Sequence, residues 1–220
     1  MRISRVARSG LQARAAYDRI SRWYDLLAGG FERRHCEAAI RMLDLRAGEA
    51  VLEIGSGTGG SVVSMARCVG TSGRVHGIDL SKGMLNIARA RVEQAGVAAS
   101  VLLQQGDALR LPFPSDCFGC VFISFTLELF DTPEIPLVLA ECMRTLRRDG
   151  RICVLGLSKA GGSNLTTRLY EWLHEILPQY ADCRPIFVQR SLEHAGFRVM
   201  EAAEFSLGGL RAEMILAHVS

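Results

Sequence analysis

Val51-Leu-Glu-Ile-Gly-Ser-Gly-Thr-Gly-Gly60 joins a short β-rich run to a turn of closely spaced glycines, and Ser61 to Val69 after it reads as a helix. A strand that runs through a glycine turn into a helix is the opening half of a βα unit. The pattern then repeats. Gly73 to Ile78 predicts a second strand, Lys82 to Ala95 an amphipathic helix closed by Gly96, and Ser100 to Gln105 a third strand. Cys117 to Phe125 predicts a fourth strand, Glu134 to Leu146 a long helix, and Arg151 to Leu157 a fifth strand after an Asp149-Gly150 turn. Alternating strands and helices predict an α/β fold with a doubly wound, Rossmann-like sheet, seven-stranded and mostly parallel.

The flanking segments complete that expectation. Residues 12 to 45 carry helical periodicity with Tyr17, Trp23, Tyr24 and Phe31, so residues 1–45 are expected to form an N-terminal helical cap on a domain spanning 46–220. Residues 163 to 178 read as another amphipathic helix, stopped by Pro178, inside an insertion at 158–186. Arg190 to Ala195 predicts a short helix ended by Gly196. Two β-like runs, Phe197 to Phe205 and Ala212 to Val219, lie either side of Gly208-Gly209 and predict a C-terminal antiparallel hairpin on the sheet edge.

Composition narrows the function classes. The 220 residues are 49% hydrophobic and 22% charged, ordinary globular usage. A net charge of +3, dispersed along the chain, argues against nucleic acid as a partner. The longest charge-free apolar run, Cys117 to Leu127, falls short of the roughly 18 residues that a bilayer span requires. The early arginines Arg2, Arg5, Arg8 and Arg14 precede no apolar signal core, so a cytoplasmic chain is expected. They read most simply as a solvated tail, with peripheral contact to an anionic inner membrane face as the sharper alternative. The odd set of cysteines, mostly inside core elements, fits reduced thiols. Cys117 and Cys120 share one expected strand at a spacing that points them to opposite faces, so no metal site is expected there.

The glycine loop carries the chemistry. Its backbone can approach a ligand where any Cβ would obstruct, and it presents N–H groups at a helix start, as a nucleotide-like ligand requires. Gly55, Gly57 and Gly60 also satisfy the dinucleotide pattern GxGxxG, so the loop alone does not choose a cofactor. Carboxylates at successive strand ends do. Asp79, 24 residues beyond Gly55, suits the two ribose hydroxyls; Asp107 suits an adenine amino group; and Glu53 stands two residues before the first glycine. A nicotinamide enzyme needs only the first of these, and the chain lacks a Tyr-x-x-x-Lys string. The acids favour S-adenosyl-L-methionine.

These residues resemble the class I S-adenosylmethionine-dependent methyltransferases, and within them the ubiquinone/menaquinone biosynthesis group. The similar stretches are Tyr17 to Asp25, Val51 to Gly59, Gly77 to Leu85, Gly106 to Phe113 and Leu146 to Arg151, in the family's order and spacing. The resemblance implies Gly55, Gly57 and Gly59 as the methionine-side loop, Asp79 at the ribose, Asp107 with Ala108 at the adenine, and Met84 and Leu109 as apolar walls. Ser56, Leu80, Gly106 and Ser124 complete the expected cofactor set with Glu53, and Tyr17 and Tyr24 are its lid candidates, although aromatic stripes at helical spacing are more often core. The compact linker Leu26 to Phe31, where quinone enzymes carry a longer insertion, is similar to that of bacterial phospholipid N-methyltransferases.

Two acceptors are therefore implied: a quinone or quinol precursor methylated on carbon, and a phosphatidylethanolamine-type lipid methylated on nitrogen. The apolar insertion, with Leu165, Leu169, Trp172, Leu173, Ile176 and Leu177, suits a lipophilic small molecule or lipid. Methyl transfer needs no protein nucleophile; a base, if a phenol carbon is the acceptor, has Tyr24 and His174 as candidates, while His35, His174 and His194, each in an expected helix, are more often surface or capping residues. A nicotinamide oxidoreductase and a noncatalytic binding module stay as alternatives from other classes.

Overall fold

The computed structural model describes residues 29–160 and 184–220. The elements in chain order are α1 (Gly29–Met42), β1 (Ala50–Ile54), α2 (Gly60–Val69), β2 (Arg74–Asp79), α3 (Lys82–Gln94), β3 (Val101–Gln105), β4 (Phe118–Ser124), α4 (Ile135–Thr145), β5 (Leu146–Leu157), α5 (Val188–His194), β6 (Phe197–Leu207) and β7 (Leu210–Val219). The strands form one sheet in the order β3-β2-β1-β4-β5-β7-β6. β1 to β5 run parallel, and β7 returns antiparallel between β5 and β6. This is the expected doubly wound sheet with its terminal hairpin.

Buried on both faces, the inner parallel strands β1, β4 and β5 supply two cores from alternate residues, as their pleat requires. Leu52, Ile54, Val121, Ile123, Ile152 and Val154 face α4 and α5, meeting Val138, Leu139 and Leu192. Val51, Cys120, Phe122, Cys153 and Leu155 face the other way, onto Ala39, Ile40 and Leu43 at the end of α1 and Val62, Met65 and Val69 of α2. The helix before the first strand thus packs into the sheet's own core.

Element boundaries depart from the sequence reading in three places. β5 opens at Leu146, ahead of Asp149-Gly150, because Leu146 already has extended backbone and pairs with Phe118; between that pair and Cys120–Arg151 it is β5 that carries the extra residues, as a bulge. β4 itself begins at Phe118, which leaves Cys117 outside the strand. The hairpin strands close directly on Gly208-Gly209, whose φ values of 58° and 86° form the two-residue turn that matches strand twist. Among the described residues no helix is long and apolar enough to cross a membrane.

One polar clasp ties the ligand-distant end of the sheet together. Arg151 of β5 donates to both carboxylate oxygens of Glu49, at 2.9 and 3.0 Å, and to the backbone oxygens of Leu43 and Asp44 that follow α1. Arg151→Ala leaves that largely buried carboxylate and two carbonyls unpartnered, so we expect a loss of about 2–4 kcal/mol. Thermal denaturation should show a fall of roughly 4–16 °C in Tm for a chain of this size.

Candidate cofactor site

The turn after β1 is fixed before any ligand enters. Gly55 and Ser56 both donate N–H bonds to the Ile78 oxygen of β2, at 2.8 and 3.1 Å, so the loop folds back over the neighbouring strand. Gly55, Gly57 and Gly59 all have positive φ, at 73°, 51° and 83°. Their surroundings divide their roles. A Cβ on Gly55 would run into the side chain of Thr126, and one on Gly59 would lie 2.9 Å from the Ala88 Cβ of α3. These two glycines permit close packing. A Cβ on Gly57 meets nothing within 4 Å, so its face is open to a ligand.

Asp79 joins the loop to the next strand. Its carboxylate accepts the Gly57 N–H and the Ser81 N–H, each at 2.8 Å. Ser81 in turn caps α3, its hydroxyl accepting the Met84 N–H at 3.1 Å. The end of β3 is knitted to the same place: Gly106 donates to the Asp79 oxygen, and the Gln105 side-chain amide to the Leu80 oxygen. Asp107 is exposed and accepts the Leu109 N–H, shaping the turn that follows. Glu141, paired with Arg144, accepts the Leu111 N–H, while Arg144 donates to the Leu111 and Phe113 oxygens, so α4 holds the segment after Asp107 in place.

Glu53 is the anomalous member. It is 2% exposed, its Oε2 has no hydrogen-bond partner, and burial, with the Asp79 charge second, pushes its carboxyl well above the usual carboxylate range. An orphaned buried carboxyl is costly, and it is common where a ligand completes the hydrogen bonding. The Ser56 hydroxyl, 5% exposed, is likewise without a partner. Both line a cleft of about 450 Å³ with Gly55, Gly57 and Ser124. Its far wall is α1, through Arg33, Cys36, Glu37 and Ile40, and its floor continues along Ser61, Ser64 and Arg67 of α2 to Arg91 of α3. Arg91 donates to the Thr58 hydroxyl at 2.9 Å, and the Cys36 thiol lies 3.1 Å from the Ser124 hydroxyl.

Of the residues expected from sequence, Glu53, Gly55, Ser56, Gly57 and Ser124 share this cleft, and Asp79 reaches it through Gly57. Leu80, Gly106, Asp107, Ala108 and Leu109 are gathered at the ends of β2 and β3, where Met84 is 2% exposed beneath the first turn of α3. Gly59 serves helix packing and does not line the cleft. Tyr17, Tyr24 and His174 lie outside the described residues. Cys36, Arg33, Arg67 and Arg91 were not expected from the sequence. Only the Ser61, Ser64, Arg67 spacing, one face of a helix, carried a signal for any of them.

Comparison with known proteins decides the family. Residues 51–150 match the model of a methyltransferase domain. A ubiquinone/menaquinone biosynthesis C-methyltransferase from Saccharophagus degradans is 34% identical over 155 residues, 70% of this chain and 61% of that protein. Its counterpart from Cellvibrio japonicus is 34% identical over 174 residues, 79% of this chain and 68% of that protein. The chain belongs to the class I S-adenosylmethionine-dependent methyltransferases. It spans about three fifths to two thirds of the length of these curated relatives. The fold is shared more widely: the solved structure of the 4+2 cyclase SpnF superposes with a TM-score of 0.78 at 17% identity, covering 97% of each chain.

The methyltransferase's cofactor is S-adenosyl-L-methionine, and the orphaned Glu53 carboxyl, the open face of Gly57 and the Asp79 carboxylate fit a ligand with an ammonium group and a ribose. Separating the glycines tests the division of labour. Gly55→Ala, with its clash and its positive φ, should lose well over 1 kcal/mol of stability, whereas Gly57→Ala should lose only about 1 kcal/mol, the cost of left-handed backbone. Urea denaturation read beside calorimetric titration with S-adenosylhomocysteine should find Gly57→Ala folded, with its affinity down at least tenfold.

Proposed function

We propose that the protein transfers the methyl group of S-adenosyl-L-methionine to a ring carbon of a lipophilic acceptor of the quinol class. The observation that carries the acceptor is the 34% identity to quinone-pathway C-methyltransferases, which extends over 70–79% of the chain. The cofactor supplies an electrophilic methyl on a sulfonium, so the chain's task is to bind, align and exclude water.

In this reading Glu53 meets the cationic amino group of the methionine end, and the Gly55 to Gly57 backbone lies along the same end. Asp79 faces the ribose hydroxyls and keeps its bonds to Gly57 and Ser81, since a carboxylate has acceptor capacity for more than two donors. Asp107, with Ala108 and Leu109, faces the adenine. The Glu53 carboxyl is held neutral by burial and must release its proton to pair with an ammonium group. Binding is therefore coupled to proton release, and affinity should rise with pH by up to about tenfold per unit until the carboxyl ionises unaided. Aligning these groups at the ends of β1, β2 and β3 leaves the acceptor to approach from beyond β4 and β5, the crevice that open parallel sheets use for ligands. Burying the acceptor's ring beside the cofactor's methyl-bearing end removes water that would otherwise solvate the cation.

Glu53→Gln separates stability from binding. In the wild type, the folded state keeps the Glu53 proton to a pH above the ordinary carboxylate range, in which the unfolded chain gives it up. The unfolded state then binds fewer protons, and stability falls as pH rises, by about 1.4 kcal/mol per unit, until the folded carboxyl itself titrates. Glutamine has no such proton to lose. Denaturant unfolding between pH 5 and 8 should find the mutant gaining on the wild type as pH increases, while calorimetry finds its affinity for S-adenosylhomocysteine at least tenfold weaker. The acceptor is tested by incubating the protein with radiolabelled cofactor and a 1,4-naphthoquinol with one unsubstituted ring carbon, beside phosphatidylethanolamine vesicles. Label on the quinol carbon, lost in Asp79→Ala, supports the reading; label only on the lipid amine overturns it.

A further inference from the structure

We infer that Cys36 is a modification site for soft conjugated-carbonyl electrophiles, placed so that reaction at its thiol and occupancy of the cofactor cleft exclude one another. The inference deepens the proposed function, because it rests on the cleft being the cofactor's.

Position selects this thiol from the six described cysteines. Cys120, Cys142 and Cys153 are fully buried, and burial pushes each thiol up, that of Cys120 to about 12, so none offers a thiolate to solvent. Cys117 is half-buried with its thiol also raised by burial, and it donates to the Pro114 oxygen far from the glycine loop. Cys68 is exposed but does not line the cleft. Cys36 alone of the six lines the cleft: half-buried on α1, it sits 3.1 Å from the Ser124 hydroxyl, among the same lining groups as Glu53 and Ser56.

The cleft itself points to a ligand at that spot. Two polar side chains more than nine-tenths buried, Glu53 and Ser56, line it, and each has a side-chain oxygen without a partner. Its volume of about 450 Å³ is within the range of small-molecule sites, ample for a maleimide-sized reagent. Arg33, paired with Glu37 at 3.0 Å, lines it with Arg67 and with Arg91, which donates to Thr58, so the half-buried thiol opens onto a polar cleft that a reagent can enter. In the reaction the Cys36 sulfur adds to the β-carbon of the conjugated double bond. A C–S bond forms as the π bond breaks, the α-carbon takes up a proton, and nothing leaves. The adduct then occupies the space beside Ser124 and the glycine loop that the methionine end requires.

The test treats the intact chain with N-ethylmaleimide, with and without saturating S-adenosylhomocysteine, and follows each cysteine by peptide mass spectrometry. Cys68 serves as the internal control. Without ligand, Cys36 and Cys68 should label while Cys120, Cys142 and Cys153 stay unlabelled, which reports a folded chain. With ligand, labelling at Cys36 should slow at least tenfold and at Cys68 less than twofold. Labelled protein should bind S-adenosylhomocysteine at least tenfold more weakly. Cys68→Ser should still lose binding on treatment, whereas treatment should alter the affinity of Cys36→Ser by less than twofold. A Cys36 that resists labelling in the empty protein, labels at the same rate under saturating ligand, or carries the label with affinity unchanged overturns the inference. If the unmodified chain binds no S-adenosylhomocysteine, the cofactor reading itself has failed; normal binding without protection at Cys36 defeats this inference alone.

Discussion

The Asp79 carboxylate, accepting N–H bonds from Gly57 and Ser81, is the constraint on which the rest of the site depends. It is the point where three separately folded pieces meet: the loop leaving β1, the end of β2 and the start of α3. Backbone N–H groups aimed at a carboxylate make charge-assisted bonds, stronger than neutral ones. Through Ser81 the same interaction seats the cap of α3, and through Gly57 it holds the loop in left-handed backbone that a less anchored turn would leave. Gly106, donating to the Asp79 oxygen, brings β3 and the Asp107 turn into the same register. The geometry is thus built before a ligand arrives, which is how such a site avoids spending binding energy on ordering its own backbone.

Glu53 shows the opposite arrangement a few residues away. Asp79 is partly exposed and bonded; Glu53 is buried with an unpartnered oxygen, and burial, with the Asp79 charge second, pushes its carboxyl upward. With its carboxyl pushed upward by burial, Glu53 costs the fold stability as pH rises. The Arg151–Glu49 clasp at the other end of the sheet has no such tension, since its charges and the carbonyls around them are matched. Strain is concentrated at the ligand end and matched interactions at the far end.

The sheet and its hairpin were legible because β-branched runs, glycine turns and helical stripes each speak locally. The glycine loop and the strand-end acids were legible for the same reason: each sits at a fixed offset from its strand. What sequence did not reveal is set by distance along the chain. Cys36 meets Ser124 across 88 residues, and Arg91 meets Thr58 across 33. No local periodicity encodes such pairings. The early start of β5 was hidden by a related effect, because Leu146 continues the apolar stripe of α4 and its extended backbone is chosen by pairing with Phe118. Gly59 matched the loop pattern, yet its work is to admit Ala88, a contact that only the packing of α2 on α3 creates.

Register converts these local signals into chemistry. Glu53 pairs with Phe122 and Ile54 with Ile123, so the pleat sends Val51 and Glu53 to the α1 and α2 face and Leu52 and Ile54 to the face of α4 and α5. Ser124, two residues beyond Phe122, follows it to the same side, which is why a residue of β1 and a residue of β4 line one cleft with α1. A slip of one residue would exchange the faces, burying a carboxyl against α4 and presenting Ile54 to the ligand. The flanking apolar residues forbid that slip: it would also turn Val51, Leu52 and Ile54 against the wrong helices. The hydrophobic pattern that folds the sheet is therefore the same pattern that fixes where the single acid of β1 can go, and the site inherits its precision from the core.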